Sequence, residues 1–163
     1  MPPRPSSEMP FEFAEAAFRL FSKNGIRRVS VDAVAAAAGV TKGSLYWHFR
    51  SKQELIHAAC AHYYRMYHQR LMAEIADSGD PVETIERVLK LNVKACLLDR
   101  ENRTFTLEIL ALSQVDASIR KSWLQFYDQV RTQYVKLLVA ASDGGTNAAH
   151  EATQLANSLL EAF

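Results

Sequence analysis

The chain has 163 residues, of which 48% are hydrophobic and 23% charged. These are ordinary globular values, enough for one compact unit or for a small head on a larger body. The sequence holds neither an apolar run of membrane-spanning length nor a basic-then-apolar signal peptide, so a cytoplasmic protein without membrane contact is expected.

The net charge of +1 is unevenly spread. Residues 1–52 carry eight Lys/Arg against four Asp/Glu, and the remainder carries eleven against fourteen. A basic head on an acidic body suits a nucleic-acid-binding module joined to a module with another task.

Four of the five prolines fall in the first ten residues, so MPPRPSSEMP (1–10) is expected to be a flexible arm. After Pro10 the pattern is helical, with no sustained alternation and no hairpin signal. A first helix is expected from Phe11 to Asn24, with Phe13, Ala17, Leu20 and Phe21 on one face and Gly25 behind it. Ser30 is placed to cap a second helix that stops at Gly39. Thr41 caps a short third helix to about Arg50, with Leu45 and Phe49 facing inward. Ser51 caps a long fourth helix to about Ala76.

Asp80-Pro81 opens a fifth helix whose stripe includes Ile85, Val88, Leu89, Asn92 and Cys96. A polar interval follows at Asp99–Asn102. Further helices are expected over Phe105–Val115, Ser118–Ala141 and from Ala148 onward. The fold class is therefore all-α: a three-helix head over 11–52 and a helical body over 53–163.

The most specific stretch is SVDAVAAAAGVTKGSLYWHFRSK, Ser30 to Lys52. Two short helices are joined by a tight turn at Gly39, and the small Ala35 lets them approach closely. This is a helix-turn-helix, whose second helix is built to enter the major groove of DNA. That helix exposes Lys42, Ser44, Tyr46, Trp47 and His48 while hiding Leu45 and Phe49.

The run AAFRLFSKNGIRRVSVDAVAAAAGVTKGSLYWHFRSKQELI resembles the N-terminal domain of the TetR (tetracycline-repressor-like) family. GVTKGSLYWHF and the following SK-x-EL carry most of the likeness. The resemblance implies a homodimeric regulator that binds a pseudo-palindromic double-stranded DNA site. It implies a backbone-contacting cap at Ser30. Thr41, Lys42, Gly43 and Ser44 would open the recognition helix, where base edges are read. Tyr46, Trp47 and His48 would contact phosphate, sugar and thymine methyl, and Lys52 would anchor a phosphate. Only Arg4 is available for an arm contact. The family closes with two antiparallel helices that pair with a partner's. Only the first is found before Phe163, so either the final helix is missing from this chain or the dimer uses a reduced surface.

The body holds a large store of aromatic residues, which either pack a core or line an effector cavity. The candidate lining is His62, Tyr63, Met66 and Asn92, together with Phe105, Trp123, Phe126 and Tyr127; Gln114 and Gln125 are further polar candidates. Ala152, Leu155, Ala156, Leu159 and Phe163 mark a dimer face on the last helix. His57, His62 and His68 lack the spacing of a helical zinc pair, and Cys60 and Cys96 lack metal or redox spacing, so no metal or cofactor is expected. No nucleophile triad, P-loop or dinucleotide fingerprint occurs, which argues against an enzyme. The leading expectation is a repressor released by a small ligand. The alternative is an architectural or activating DNA-binding protein without an effector.

Overall fold

The computed structural model describes residues 9–77, 79–142 and 147–161. Among them are eight α-helices and no strand, so the fold is all-α. Helix α1 spans Met9–Asn24. It starts two residues before the expected Phe11, with Pro10 in its first turn, where a missing N–H leaves no bond unmade. The rest of the expected arm, residues 1–8, lies outside the described residues.

The following helices begin where short polar side chains take up free backbone N–H groups. Ser30 Oγ accepts the Ala33 N–H at 3.1 Å, opening α2 (Val31–Ala37). Thr41 Oγ1 accepts the Ser44 N–H at 3.2 Å, opening α3 (Lys42–His48). Ser51 Oγ accepts the Glu54 N–H at 3.2 Å, opening α4 (Lys52–Ala76). Asp80, followed by Pro81, caps α5 (Pro81–Asn92). Asp99 caps α6 (Arg100–Ser113), and Asp116 caps α7 (Ala117–Ala141). Helix α8 spans Ala148–Glu161.

Two departures from the expected pattern lie in the body. The α5 chain does not stop at Asn92 but widens into a π-helical turn, Val93–Leu98, closed by an Asp99 N–H to Lys94 carbonyl bond of 2.8 Å. The polar interval at Asp99–Asn102 is not a break. It is the cap and first turn of α6, because the Asp99 carboxylate accepts the Asn102 N–H at 3.0 Å.

The turn between α2 and α3 is fixed by its hydrogen bonds. The Gly39 N–H reaches the Ala36 carbonyl at 3.1 Å, and the Val40 N–H reaches the Ala35 carbonyl at 3.0 Å. This is a Schellman closure, which requires a left-handed residue; Gly39 supplies it at φ +70°.

Packing divides into two cores. The first holds Phe13, Phe21, Val34, Leu45 and Leu55, and extends to Phe105, Ile109 and Ile119 of the body. The head core is thus continuous with α6 and α7 rather than ending near residue 52. The second holds Tyr67, Leu71, Val88, Val130, Tyr134 and Ala156. Within it the Tyr67 hydroxyl donates to Asn92 Oδ1, and Asn92 Nδ2 donates to the Tyr134 hydroxyl. Helix α8 packs on α7. Ala152 and Ala156, expected on an outward dimer face, are instead buried within the chain, and Leu159 is half-buried against the second core. Leu155 is the exposed member of that set, and Phe163 lies outside the described residues.

Two substitutions test these points. A Cβ at Gly39 would meet no heavy atom within 4 Å, so Gly39→Ala isolates the backbone cost. It is expected to lower stability by about 1 kcal/mol in urea unfolding; no loss would refute the left-handed requirement. Asn92→Ala strands the buried hydroxyls of Tyr67 and Tyr134. It should cost about 2 kcal/mol or more by the same assay, whereas a neutral result would show that the chain of bonds adds nothing.

Candidate nucleic-acid interface and body cavity

Helix α3 has one face in the core and one in solvent. Leu45 is fully buried, Phe49 behind it is half-buried, and Trp47 is 78% exposed. Tyr46, Thr41, Lys42 and Gly43 are also exposed, while Ser44 and His48 are half-buried. The Trp47 indole thus stands in solvent beside the exposed Tyr46 and Lys42.

The expected DNA-contacting residues therefore lie together, with differences in role. Ser30 and Thr41 spend their side-chain oxygens as helix caps. His48 lies against the Phe13 ring at 5.4 Å and edge-on to Trp47 at 4.7 Å, so it also supports the helix. Lys42 Nζ pairs with Asp32 of α2, with N–O distances of 2.9 and 3.0 Å, and stands 5.9 Å from the Tyr46 ring. The Asp32 hydrogen bond and charge hold the Lys42 ammonium in its charged form, above its usual range. Lys52 forms no ion pair among the described residues.

The first turns of α4 are tied to the body. Glu54 accepts the Arg50 N–H at 2.8 Å, and Gln53 Nε2 donates to the Asp116 carboxylate. His57 Nε2 lies 3.0 Å from Ser118 Oγ. Arg120 of α7 donates to the Ser113 and Gln114 carbonyls at 2.8 and 2.9 Å, closing the end of α6. Hydrogen bonds ending on the side chains of Asp116 and Ser118 thus reach the helix that starts at Lys52.

A cavity of about 290 Å³ lies between α4, α5, α6 and α7. Five of the eight expected lining residues are on its wall: Tyr63, Asn92, Trp123, Phe126 and Tyr127. Three are not. His62 faces α1, with its ring 5.5 Å from Phe18. Burial, and then Arg65, lower its pKa. Met66 packs against the first core, and Phe105 is fully buried within it. Gln114 and Gln125 are exposed and off the wall.

Tyr67, one of the body's aromatic store but not among the eight candidates, is also on the wall, and the reading of the sequence missed Cys96, Arg103, Thr106 and Leu110 there. Tyr67 had a signal, since it stands one turn beyond Tyr63. Arg103, Thr106 and Leu110 share a helical stripe at i, i+3, i+7, hidden by starting α6 too late. Tyr63 shares a 3.0 Å hydrogen bond with Thr106 Oγ1. Burial pushes the Tyr63 phenol up to about 12 and raises Tyr67, Tyr134 and Cys96 as well, so these groups are neutral at ordinary pH.

Comparison with known proteins adds to this geometry. Residues 14–59 match the family described as bacterial regulatory proteins, tetR family. The chain is 33% identical over 93 residues to the transcriptional regulator TtgR of Pseudomonas putida, covering 56% of this chain and 44% of that protein. It is 28% identical over 125 residues to AcrR of Shigella flexneri, covering 71% and 58% respectively. The matches thus span about half of these curated relatives. A transcriptional regulator of Saccharomonospora viridis, solved with choline, superposes with a TM-score of 0.80 at 22% identity, over 96% of this chain and 83% of that one. Residues 14–59 thus match the helix-turn-helix domain of the tetR family in sequence, and the chain as a whole shares its fold with solved transcriptional regulators.

Proposed function

We propose that the chain is a DNA-binding transcriptional repressor that acts as a homodimer and leaves its operator when a small molecule fills the body cavity. One observation carries this reading. Helix α4 places Lys52 in its first turn, beside the recognition helix, and Tyr63 and Tyr67 on the cavity wall. A ligand that favours one tilt of this single rod changes the position of the head. It does so only by its differential affinity for the two tilts.

Within this reading Lys42, Gly43 and Ser44 meet base edges. Tyr46, Trp47, His48 and Lys52 meet the backbone and thymine methyls, and Ser30 and Thr41 hold the helix starts that face the phosphates. Two heads must sit about 34–36 Å apart to enter successive major grooves, hence a two-fold dimer on a pseudo-palindromic site. The outward face of α8 around Leu155 and the exposed side of α7 supply the contact surface. The choline held by the Saccharomonospora viridis regulator supports a small-molecule effector. Among the described residues no helix is long and apolar enough to cross a membrane. The proposed function involves no catalysis.

Selection of bound fragments from a genomic DNA pool tests the reading directly; recovery of no shared palindromic sequence would refute it. With the selected operator, Lys52→Ala should weaken specific and non-specific binding alike and lower the salt slope by about one unit. An unchanged slope removes the phosphate role. Lys42→Ala should instead change the preferred sequence, at about 1–3 kcal/mol for the favoured base pair. Leu155→Glu should shift the sedimenting species toward monomer; a mutant that stays dimeric moves the interface elsewhere.

A further inference from the structure

The cavity wall is unusual in its charge. Its residues include aromatic rings from Tyr63, Tyr67, Trp123, Phe126 and Tyr127, but no Asp or Glu. The charged group on it is Arg103. Most of the wall's polar atoms are already satisfied by one another. Tyr67, Asn92 and Tyr134 form a closed chain of hydrogen bonds, and Tyr63 is bonded to Thr106. These groups are poorly placed to meet a charged ligand.

Arg103 is different. Its guanidinium donates from Nη1 to the Leu97 carbonyl at the end of the π-helical turn. Among the described residues it has no ion pair. The natural partner would be Asp99, four residues earlier on the same helix. One oxygen of that carboxylate caps α6 by accepting the Asn102 N–H, and among the described residues it forms no ion pair with Arg103. A guanidinium carries five N–H donors in a planar fork, so most of Arg103's remain for another acceptor. A solvent-accessible guanidinium beside an apolar pocket whose wall holds no carboxylate is available to an anionic group of a ligand.

We propose that the cavity takes an aromatic carboxylate, its ring body among Tyr67, Trp123 and Phe126 and its carboxylate on Arg103. This rests on the reading of the cavity as the effector site and names the chemistry of that effector. The aromatic walls receive a flat apolar ring by stacking and edge contacts. The guanidinium fork matches a carboxylate with paired N–H···O bonds. A quaternary ammonium ligand would enjoy the rings but meet a like charge and no counter-ion. The volume of about 290 Å³ stands at the low end of small-molecule sites, which suits a compact ring system rather than a long chain.

The test uses the full chain and three probes on one ring: the isosteric pair 2-naphthoate and 2-naphthamide, and the bulkier cation (2-naphthylmethyl)trimethylammonium. Isothermal titration calorimetry should find naphthoate bound about tenfold tighter than naphthamide, with the cation weakest. Arg103→Met should erase the preference for acid over amide, while Arg103→Lys keeps part of it. Added salt should weaken naphthoate and leave naphthamide unchanged, a readout on the unmutated chain that stands even if a variant fails to fold. Equal binding of acid and amide, a preference for the cation, or an acid preference that survives in Arg103→Met overturns the carboxylate assignment while leaving an effector cavity in place. Failure of all three probes to bind overturns the assignment and the cavity reading together.

Discussion

Phe18 is the point at which head and body become one object. It leaves α1, stacks on Tyr63 of α4 with centroids 5.6 Å apart, and meets Phe105 of α6 edge-on at 4.9 Å. Three helices are held by one ring, which is 8% exposed. Each such aromatic pair contributes about 0.5–1.5 kcal/mol beyond its buried area. The contact matters because the recognition helix is short and has no stable position of its own. Its orientation is inherited from α1 and α4, and theirs from this junction.

The aromatic contacts do not end there. Tyr63 lies 6.2 Å from Phe126 of α7, and Phe126 stacks on Tyr64 at 4.6 Å and meets Tyr67 edge-on at 5.4 Å. Rings on the cavity wall are thus in contact with rings that position the head. Packed cores rearrange between discrete states rather than deforming smoothly. Under the proposed function, a ligand among these rings would act on the same packing that fixes the tilt of α4. The Gln53–Asp116 and His57–Ser118 bonds add a second, polar connection near the first turns of that helix.

The head was legible in the sequence because its determinants are local. Ser30, Thr41 and Ser51 each act on an N–H three residues away, and Gly39 acts on its own backbone. The Lys42–Asp32 pair was not legible, since it joins two helices across a turn whose geometry the sequence does not state. The cavity was only half legible for the same reason. Periodicity placed Tyr63, Trp123, Phe126 and Tyr127 on inward faces, but it does not say which inward face meets a void and which meets another helix. His62 and Tyr63 are adjacent, yet one faces Phe18 and the other lines the cavity. Ala152 and Ala156 failed similarly: an apolar stripe must be covered, and here α7 of the same chain covers it.

The π-helical turn at Val93–Leu98 has its own consequence for how such a body changes over time. A π turn holds one residue more than the α-helix it interrupts, and each residue of an α-helix advances the phase by about 100°. Loss of a single residue there would restore regular winding, because the turn is already the place where the ladder is broken. It would also swing Cys96 relative to Asn92 and move the Leu97 carbonyl that Arg103 grips. Helices α1 to α4 would keep their sequence. A one-residue change in length is therefore a small inherited alteration that reshapes the cavity wall at Asn92, Cys96 and Arg103 without touching the sequence of the helix-turn-helix.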